Sequence, residues 1–327
     1  MTQRLGILFL GCGWATTMHS RTLRKIGNVN LYYASRDAAR AEAFRAKYDG
    51  QRAFGSYDTA VAEADVHIAL VATPTVTHRD LAILALTAGK HVIVEKPAFM
   101  RAADVEPVRQ AARAASRSVF VAENYYYKPI TRHLRQLVTS GALGDVRFVT
   151  VNATKQQKGD GWRGDPSLSG GGALFEAGVH WVNFLANIGL EVRGVSAHSV
   201  GSATGPDQST LTVFTYSNGA VGTLAHSWEL AAPFGGMRLS KIQGTKGSVT
   251  FESNGLLYVG SGGARSFGVP ALRDFLGYRA MFTDFLGAVR EQRPAQFTLE
   301  LAERDLLLLE QAERSMAAHQ TAHSTHP

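Results

Sequence analysis

The chain has 327 residues, 45% hydrophobic and 19% charged, with a formal charge of +7 and one cysteine, Cys12. The length points to two domains rather than one small core, no apolar run approaches the ~20 residues of a membrane span, and a single cysteine excludes an intrachain disulfide and fits a reducing cytoplasm. The basic residues are scattered, with no run of five and no zinc-finger, RNP or helix-turn-helix pattern, so neither nucleic acid nor membrane is an expected partner, and the positive field suits an anionic small ligand. In chain order, residues 5–10 read as a short apolar strand, 14–26 as a helix, 29–35 as a strand and 37–48 as a helix capped by Asp37. A third strand, 67–72, ends at Thr73-Pro74. A helix over 77–88 is stopped by Gly89. Then come a strand over 91–96, a helix over 102–115 and a strand over 119–124. Repeated βα units predict a doubly wound parallel sheet with right-handed crossovers, the Rossmann arrangement, over residues 1–123.

Residues 124–327 have a different texture. A helix over 129–140 carries Pro129 in its first turn. Strand signals follow at 146–155, 192–200, 210–216, 220–229, 237–243 and 248–252, with hairpin turns at Ser217-Asn218-Gly219 and 244–247. One helix, 172–188, interrupts them, and helices over 278–290 and 300–317 close the chain. The expectation is an α+β domain on an open, largely antiparallel sheet. The tail after Ala317 carries His319, His323 and His326 and reads as frayed; no metal site is expected.

Two short segments carry chemistry. Gly11-Cys12-Gly13-Trp14-Ala15-Thr16 follows the first strand and opens the first helix. Two glycines permit a tight turn and close approach of backbone to a pyrophosphate, while the helix supplies free N–H groups and the positive end of its dipole. The third fingerprint position, usually Gly or Ala, is Thr16. Cys12 reads as a packing residue. The second strand ends in Ser35-Arg36-Asp37. An NAD site would place an acid at that strand end to accept from the ribose 2′-OH. Ser35 and Arg36 instead suit a 2′-phosphate, so NADP is preferred over NAD, with Asp37 as the residue that would serve NAD. The other segment is Val92-Ile93-Val94-Glu95-Lys96-Pro97. A buried strand ends in an acid, a cation and a proline, and the proline biases Lys96 toward an extended backbone at the edge where open α/β sheets bind ligands.

The glycine loop, Thr73-Pro74, His78, Ala88-Gly89-Lys90-His91 and Glu95-Lys96-Pro97, in that order, together with Gly170-Gly171-Gly172 and Glu176-Ala177-Gly178-Val179-His180, resemble the Gfo/Idh/MocA oxidoreductase family. The resemblance covers essentially the whole chain. It implies a nicotinamide-binding N-terminal domain, a C-terminal domain that supplies the substrate wall and a homodimer or homotetramer contact through its sheet, and sugar, sugar-nucleotide or cyclitol substrates. By position it implies a catalytic group of Lys96, Glu176 and His180. The expected reaction is hydride transfer between nicotinamide C4 and a carbonyl or alcohol carbon. Lys96 polarises the substrate oxygen, His180 transfers the proton and Glu176 orients, although Lys96 is also suited to carry the proton.

Glu176 departs from the family's usual Asp, and its extra methylene displaces the carboxylate by ~1.5 Å. That leaves a second reading open, a non-catalytic NADP-binding sensor of the same fold. Glu176 and His180, four apart, are expected on one helix face. Expected cofactor contacts are Gly11, Gly13, Trp14, Ala15, Ser35, Arg36, Thr73, Pro74, His78, Glu95, Lys96, Asn124, Trp162 and Arg163. Lys155, Gln157 and Tyr278 are expected substrate contacts. Tyr125, Tyr126 and Tyr127 are candidates as well, though three consecutive strand residues cannot share one face.

Overall fold

The computed structural model describes residues 4–157, 161–201, 205–233, 236–270 and 274–324, with the side chains of 163, 164 and 320–324 outside the described set. The chain divides into two compact units, residues 1–123 with 278–303, and residues 124–277 with 304–327. The chain therefore leaves the first unit at Glu123 and returns to it at Tyr278.

The first unit begins β1 (Leu5–Leu10), α1 (Trp14–Ile26), β2 (Val29–Ala34), α2 (Ala38–Tyr48), β3 (Arg52–Phe54) and α3 (Tyr57–Val61). It continues β4 (Ile68–Val71), α4 (His78–Thr87), β5 (His91–Val94), α5 (Val105–Ala115) and β6 (Val119–Val121). All six strands are parallel in the order β3-β2-β1-β4-β5-β6. Every residue of β1 and β4 is buried, as expected of strands covered on both faces. Phe9 and Tyr33 stack across β1 and β2 with centroids 5.3 Å apart. Each such buried ring contributes roughly 1.5–3 kcal/mol relative to exposure. The order reverses at β1, where β2 lies on one side and β4 on the other, and doubly wound sheets bind ligands outside such a reversal. The strand β3 is an addition to the sequence expectation, because three residues carry no readable alternation.

The second unit runs α6 (Asn124–Tyr127), α7 (Pro129–Thr139), β7 (Val146–Thr154), α8 (Pro166–Ser169), a π-helical turn Leu174–Gly178 and α9 (Val179–Ala186). Then follow β8 (Val192–Ser199), β9 (Ser209–Tyr216), β10 (Val221–Ser227), β11 (Leu239–Gly244), β12 (Gly247–Glu252), β13 (Tyr258–Gly262) and β14 (Ser266–Gly268). The last two helices are α10 (Tyr278–Glu291), which belongs with the first unit, and α11 (Leu299–Ser324). The eight-stranded sheet has the order β14-β13-β12-β11-β7-β10-β9-β8. It is antiparallel except for β7 and β10, which pair in parallel. The meander expected from the turns is interrupted there because the chain leaves β7, builds helices, lays down β8 and β9 from the sheet edge, and returns as β10 beside β7 in the same direction. Gly222, Leu224 and His226 of β10 face inward together with Val149, Val151 and Ala153 of β7, against the buried helix α9. Tyr216 Oη donates to the Leu185 carbonyl at 3.1 Å.

Three expected elements differ. The helix expected over 172–188 is a π-turn followed by α9. The strand expected to reach Asn124 stops at Val121, and Asn124 opens the one-turn helix α6. The tyrosines at 125–127 therefore point around a helix rather than alternating across a strand. The closing helix extends through Ser324 rather than ending at Ala317.

Candidate functional site

In the first unit the candidate residues gather along the carboxyl edge of the parallel sheet. Successive strand ends are tied by backbone bonds: Gly11 N–H to Ala34 O at 2.9 Å, Ala72 N–H to Leu10 O at 2.8 Å and Glu95 N–H to Val71 O at 3.0 Å. Gly11 has φ +105°, and a Cβ there would lie 2.7 Å from the Ala72 carbonyl oxygen, so the turn requires glycine. Among the described residues nothing lies within 4 Å of a Cβ built at Gly13, so the backbone there is open. The first-turn N–H groups of α1, from Trp14 and Ala15, have no intrahelical partners by helix geometry. Trp14 is 64% exposed at that mouth. Thr16 takes the third fingerprint position without opening the loop. Its buried hydroxyl donates to Gly11 O at 2.7 Å, so the side chain locks the turn from behind. Cys12 is buried under the same loop; burial pushes its thiol up to about 12, with Arg40 opposing and Asp37 adding. It is a packing residue.

At the end of β2, the Asp37 side chain caps α2 by accepting Arg40 N–H at 3.1 Å, while Ser35 Oγ accepts Asp37 N–H at 3.2 Å. Arg36 is exposed. The charges of Arg40 and Asp37 act in opposite directions on the Cys12 thiol in the glycine loop. Arg40 is a cation absent from the sequence-level candidates. The signal for it was its place one turn into the second helix, where a side chain reaches back toward the strand end.

Thr73-Pro74 follows β4. His78, at the start of α4 and 1% exposed, faces the Thr73 carbonyl with Nε2 at 2.9 Å and the Pro97 and Ala98 carbonyls with Nδ1 at 3.0 Å. Burial pushes this imidazole below its ordinary range, with the carbonyls opposing. His78 thus fastens the turn after β4 to the turn after β5, behind the edge rather than on it. Lys96 lies in that second turn, and its peptide bond to Pro97 is cis. The Glu95 carboxylate contacts His19 Nε2 and accepts the Lys96 N–H at 3.1 Å. Burial would raise the Glu95 carboxyl, but His19 and Lys96 together hold it below the usual range.

In the second unit Glu176 sits in the π-turn and is 3% exposed, and His180 lies in the first turn of α9. π-Turns inside helices are frequent at functional sites. The Tyr125 ring stacks on His180 at 4.2 Å with a 10° interplanar angle, and Trp181 meets Tyr125 edge-on. Tyr126 instead lies under Arg135, and Tyr127 is buried. On the sheet, His226 feels Lys155, Arg238, Glu176 and His180; burial first, then Lys155 and Arg238, push it down to about 3, with Glu176 opposing. Thr210 is the register partner of His226. Buried polar atoms of Thr210, His226, Trp228 and Arg238 lack partners among the described residues. None of these four was a sequence-level candidate; their strands read only as core, and a parallel pairing had to be known before His226 fell beside Lys155.

Among the remaining candidates, Asn124 Nδ2 donates to the Leu276 carbonyl at 2.7 Å within the second unit. Lys155 and Gln157 continue β7, their N–H groups bonded to Ser227 O and Trp228 O. Trp162 lies in a 3₁₀ turn, Gly161–Gly164, and the Arg163 side chain lies outside the described residues. Tyr278 belongs to the first unit, where its ring meets His19 edge-on at 5.3 Å. Among the described residues no group of three His, Cys, Asp or Glu is arranged to hold a metal ion, and no helix is long and apolar enough to cross a membrane.

Comparison with known proteins is consistent across both units. Residues 5–123 match the family model described as an oxidoreductase family NAD-binding Rossmann fold, and residues 131–250 match the GFO/IDH/MocA C-terminal domain. The bovine (Bos taurus) trans-1,2-dihydrobenzene-1,2-diol dehydrogenase is 31% identical over 237 residues, 69% of this chain and 68% of that protein. Among solved structures, an aldose-aldose oxidoreductase from Caulobacter crescentus complexed with glycerol superposes with a TM-score of 0.87 at 22% identity, covering 97% of this chain and 98% of that one. GenD2 from gentamicin A biosynthesis, in complex with NAD, has a TM-score of 0.84 at 25% identity, covering 97% of this chain and 95% of its own.

Proposed function

Because the chain belongs to the Gfo/Idh/MocA oxidoreductase family, we propose that it is an NADP-dependent enzyme moving a hydride between nicotinamide C4 and a carbonyl or alcohol carbon of a sugar, sugar nucleotide or cyclitol. The observation that carries this reading is the placement of the glycine loop and the Glu95-Lys96-Pro97 turn at strand ends of one parallel sheet, β1 and β5, with β4 between them. The loop fits a dinucleotide: Gly11 makes the tight turn against Ala72, Gly13 leaves the backbone beside it open, and Trp14 and Ala15 offer helix N-terminal N–H groups. Ser35 and Arg36, with Arg40, would hold a 2′-phosphate, because Asp37 is already engaged as a helix cap. When bound, the nicotinamide supplies the hydride acceptor or donor.

Lys96 polarises the substrate oxygen and stabilises charge developing on it. His180 carries the proton, its ring plane set by Tyr125. Glu176 orients the substrate or His180. The orphaned polar atoms of Thr210, His226, Trp228 and Arg238 support a ligand rich in hydroxyl groups rather than an apolar one. The relatives' names, which cite a dihydrodiol and an aldose, support the same substrate class. The outer face of the second unit's sheet leaves Phe148, Leu239, Val259 and Phe267 exposed, which supports a homodimer or homotetramer through that face.

The test is NADPH oxidation over a panel of keto-sugars, sugar nucleotides, inosones and dihydrodiol-related ketones. The expected result is turnover on at least one member and a loss of roughly 10²–10³-fold in kcat for Lys96→Ala. Unchanged turnover in that variant overturns the assignment. The longer acid at Glu176 supports a second reading, a sensor that binds NADP without turnover. Cofactor binding with no turnover across the panel, appearing only in Glu176→Asp, is its signature.

A further inference from the structure

The pair His19–Glu95 has no part in the chemistry described above, yet it occupies a costly position. His19 is 1% exposed, on α1, the helix that grows out of the glycine loop. Its ring is held edge-on by Tyr278 at 5.3 Å and Phe282 at 5.0 Å. Its Nε2 meets one oxygen of Glu95, and the other oxygen accepts the Lys96 N–H at 3.1 Å. A continuous set of contacts therefore runs from the glycine-loop helix, through an imidazole and a carboxylate, to the backbone of Lys96.

Stability alone is a poor reason for this arrangement. Removing a carboxylate from water costs several kcal/mol unless it is paired, and well-packed apolar side chains in place of a buried pair are often neutral or stabilising. The pair does achieve one thing that apolar side chains cannot. It fixes a negative charge beside Lys96 and bonds the peptide N–H of that same residue. His19 and the Lys96 N–H hold the two oxygens of the Glu95 carboxylate, one each, so losing His19 releases one of them.

We propose that His19 and Glu95 are positioning residues for Lys96, with Glu95 holding the lysine backbone and charge environment and His19 holding Glu95. This rests on the reading of Lys96 as the residue that acts on substrate. The geometry assigns the two residues one joint effect, because His19 reaches Lys96 only through Glu95.

The test has two arms. In the first, His19→Leu, Glu95→Gln and the double variant are compared on the best substrate of the panel. Each single variant is expected to lose about 10–100-fold in kcat, the scale of an ångström-level displacement of a catalytic group. The NADPH dissociation constant of His19→Leu should stay near that of the wild type, and the double variant should be no slower than the slower single variant. Unchanged kcat in either single variant, or losses that multiply in the double, overturn the proposal.

The second arm requires no turnover. The rate of Lys96 acylation by an N-hydroxysuccinimide acetate is followed by peptide mass spectrometry, with the other lysines as internal references. The acylation rate at Lys96, relative to the other lysines, is expected to change in Glu95→Gln and in His19→Leu, because the backbone N–H of Lys96 loses the carboxylate that holds it or that carboxylate loses its own anchor. Equal rates in wild type and variants overturn the proposal. A wild type inactive on every substrate would end the enzymatic reading while this arm still decides the positioning role. If His19→Leu does not fold, His19→Phe, which keeps a ring between Tyr278 and Phe282 but offers the carboxylate no N–H, takes its place in both arms.

Discussion

At the scale of single residues, small departures from expected patterns had local physical causes. Thr16 departs from the Gly or Ala of the fingerprint, yet its hydroxyl bonds Gly11 O and its methyl stays buried, so the loop keeps its shape. Asp37 stands close enough in sequence to serve an NAD ribose, but its carboxylate is committed to the N-terminus of α2. The cofactor prediction belongs at this scale. NADPH is expected to raise the melting temperature more than NADH, and Arg36→Ala to weaken NADPH binding about 10–100-fold, the value of a charge-assisted phosphate contact, with little effect on NADH. Thermal-shift titration with both cofactors checks it, and equal stabilisation by NADH counts against NADP. The loop and Lys96 could be read in the sequence because each stands at a strand end flagged by Gly or Pro, and Ser35-Arg36 because a hydroxyl and a guanidinium stand where a second strand ends. His19 could not, since a histidine inside an amphipathic helix shows its role only when the residue facing it is known.

At the scale of elements, the βα units were legible because buried parallel strands are short apolar runs bounded by turn residues. The second sheet was harder. Its strands alternate, but alternation does not reveal which strand lies next to which, and the parallel β7–β10 pair joins segments far apart in sequence. The helix around Glu176 was read as regular, whereas it is a π-turn leading into α9. Hydrophobic spacing cannot distinguish one turn of 4.4 residues from one of 3.6 over so few positions. One element-level prediction concerns the β1–α1 turn. Gly11→Ala forces a non-glycine residue to φ +105° against the Ala72 carbonyl, at a cost of about 1–3 kcal/mol. Chemical denaturation should show a lowered midpoint with an unchanged slope, together with weakened NADPH binding.

For the whole molecule, charge and burial set the response to acid. His226 is pushed down to about 3 and His91 to about 4, both mainly by burial, and His78 moves in the same direction. A histidine whose folded pKa lies below its unfolded value binds fewer protons in the folded state. The stability it contributes is therefore present above the ordinary histidine value of 6.5 and lost as pH falls. For buried His226 the loss is on the order of 1.4 kcal/mol per pH unit below that value. Melting temperature should fall steadily from pH 6.5 toward 4, less steeply in His226→Gln; identical slopes would refute the assignment. The exposed apolar face of the second sheet leads to a separate expectation. Phe148→Glu with Leu239→Glu should dissociate an oligomer, read by light scattering, while NADPH binding persists. What the sequence determined by itself was local: periodicity named the elements, and glycine, proline and charge at strand ends named the loop and Lys96, because these effects act within a few residues. What only the tertiary structure decided was long-range: the return of α10 to the first unit, His19 against Glu95, Tyr125 on His180, and His226 beside Lys155. Each brings together side chains from separate segments, and such contacts are fixed by the packing of whole elements rather than by the preferences of any one stretch of chain.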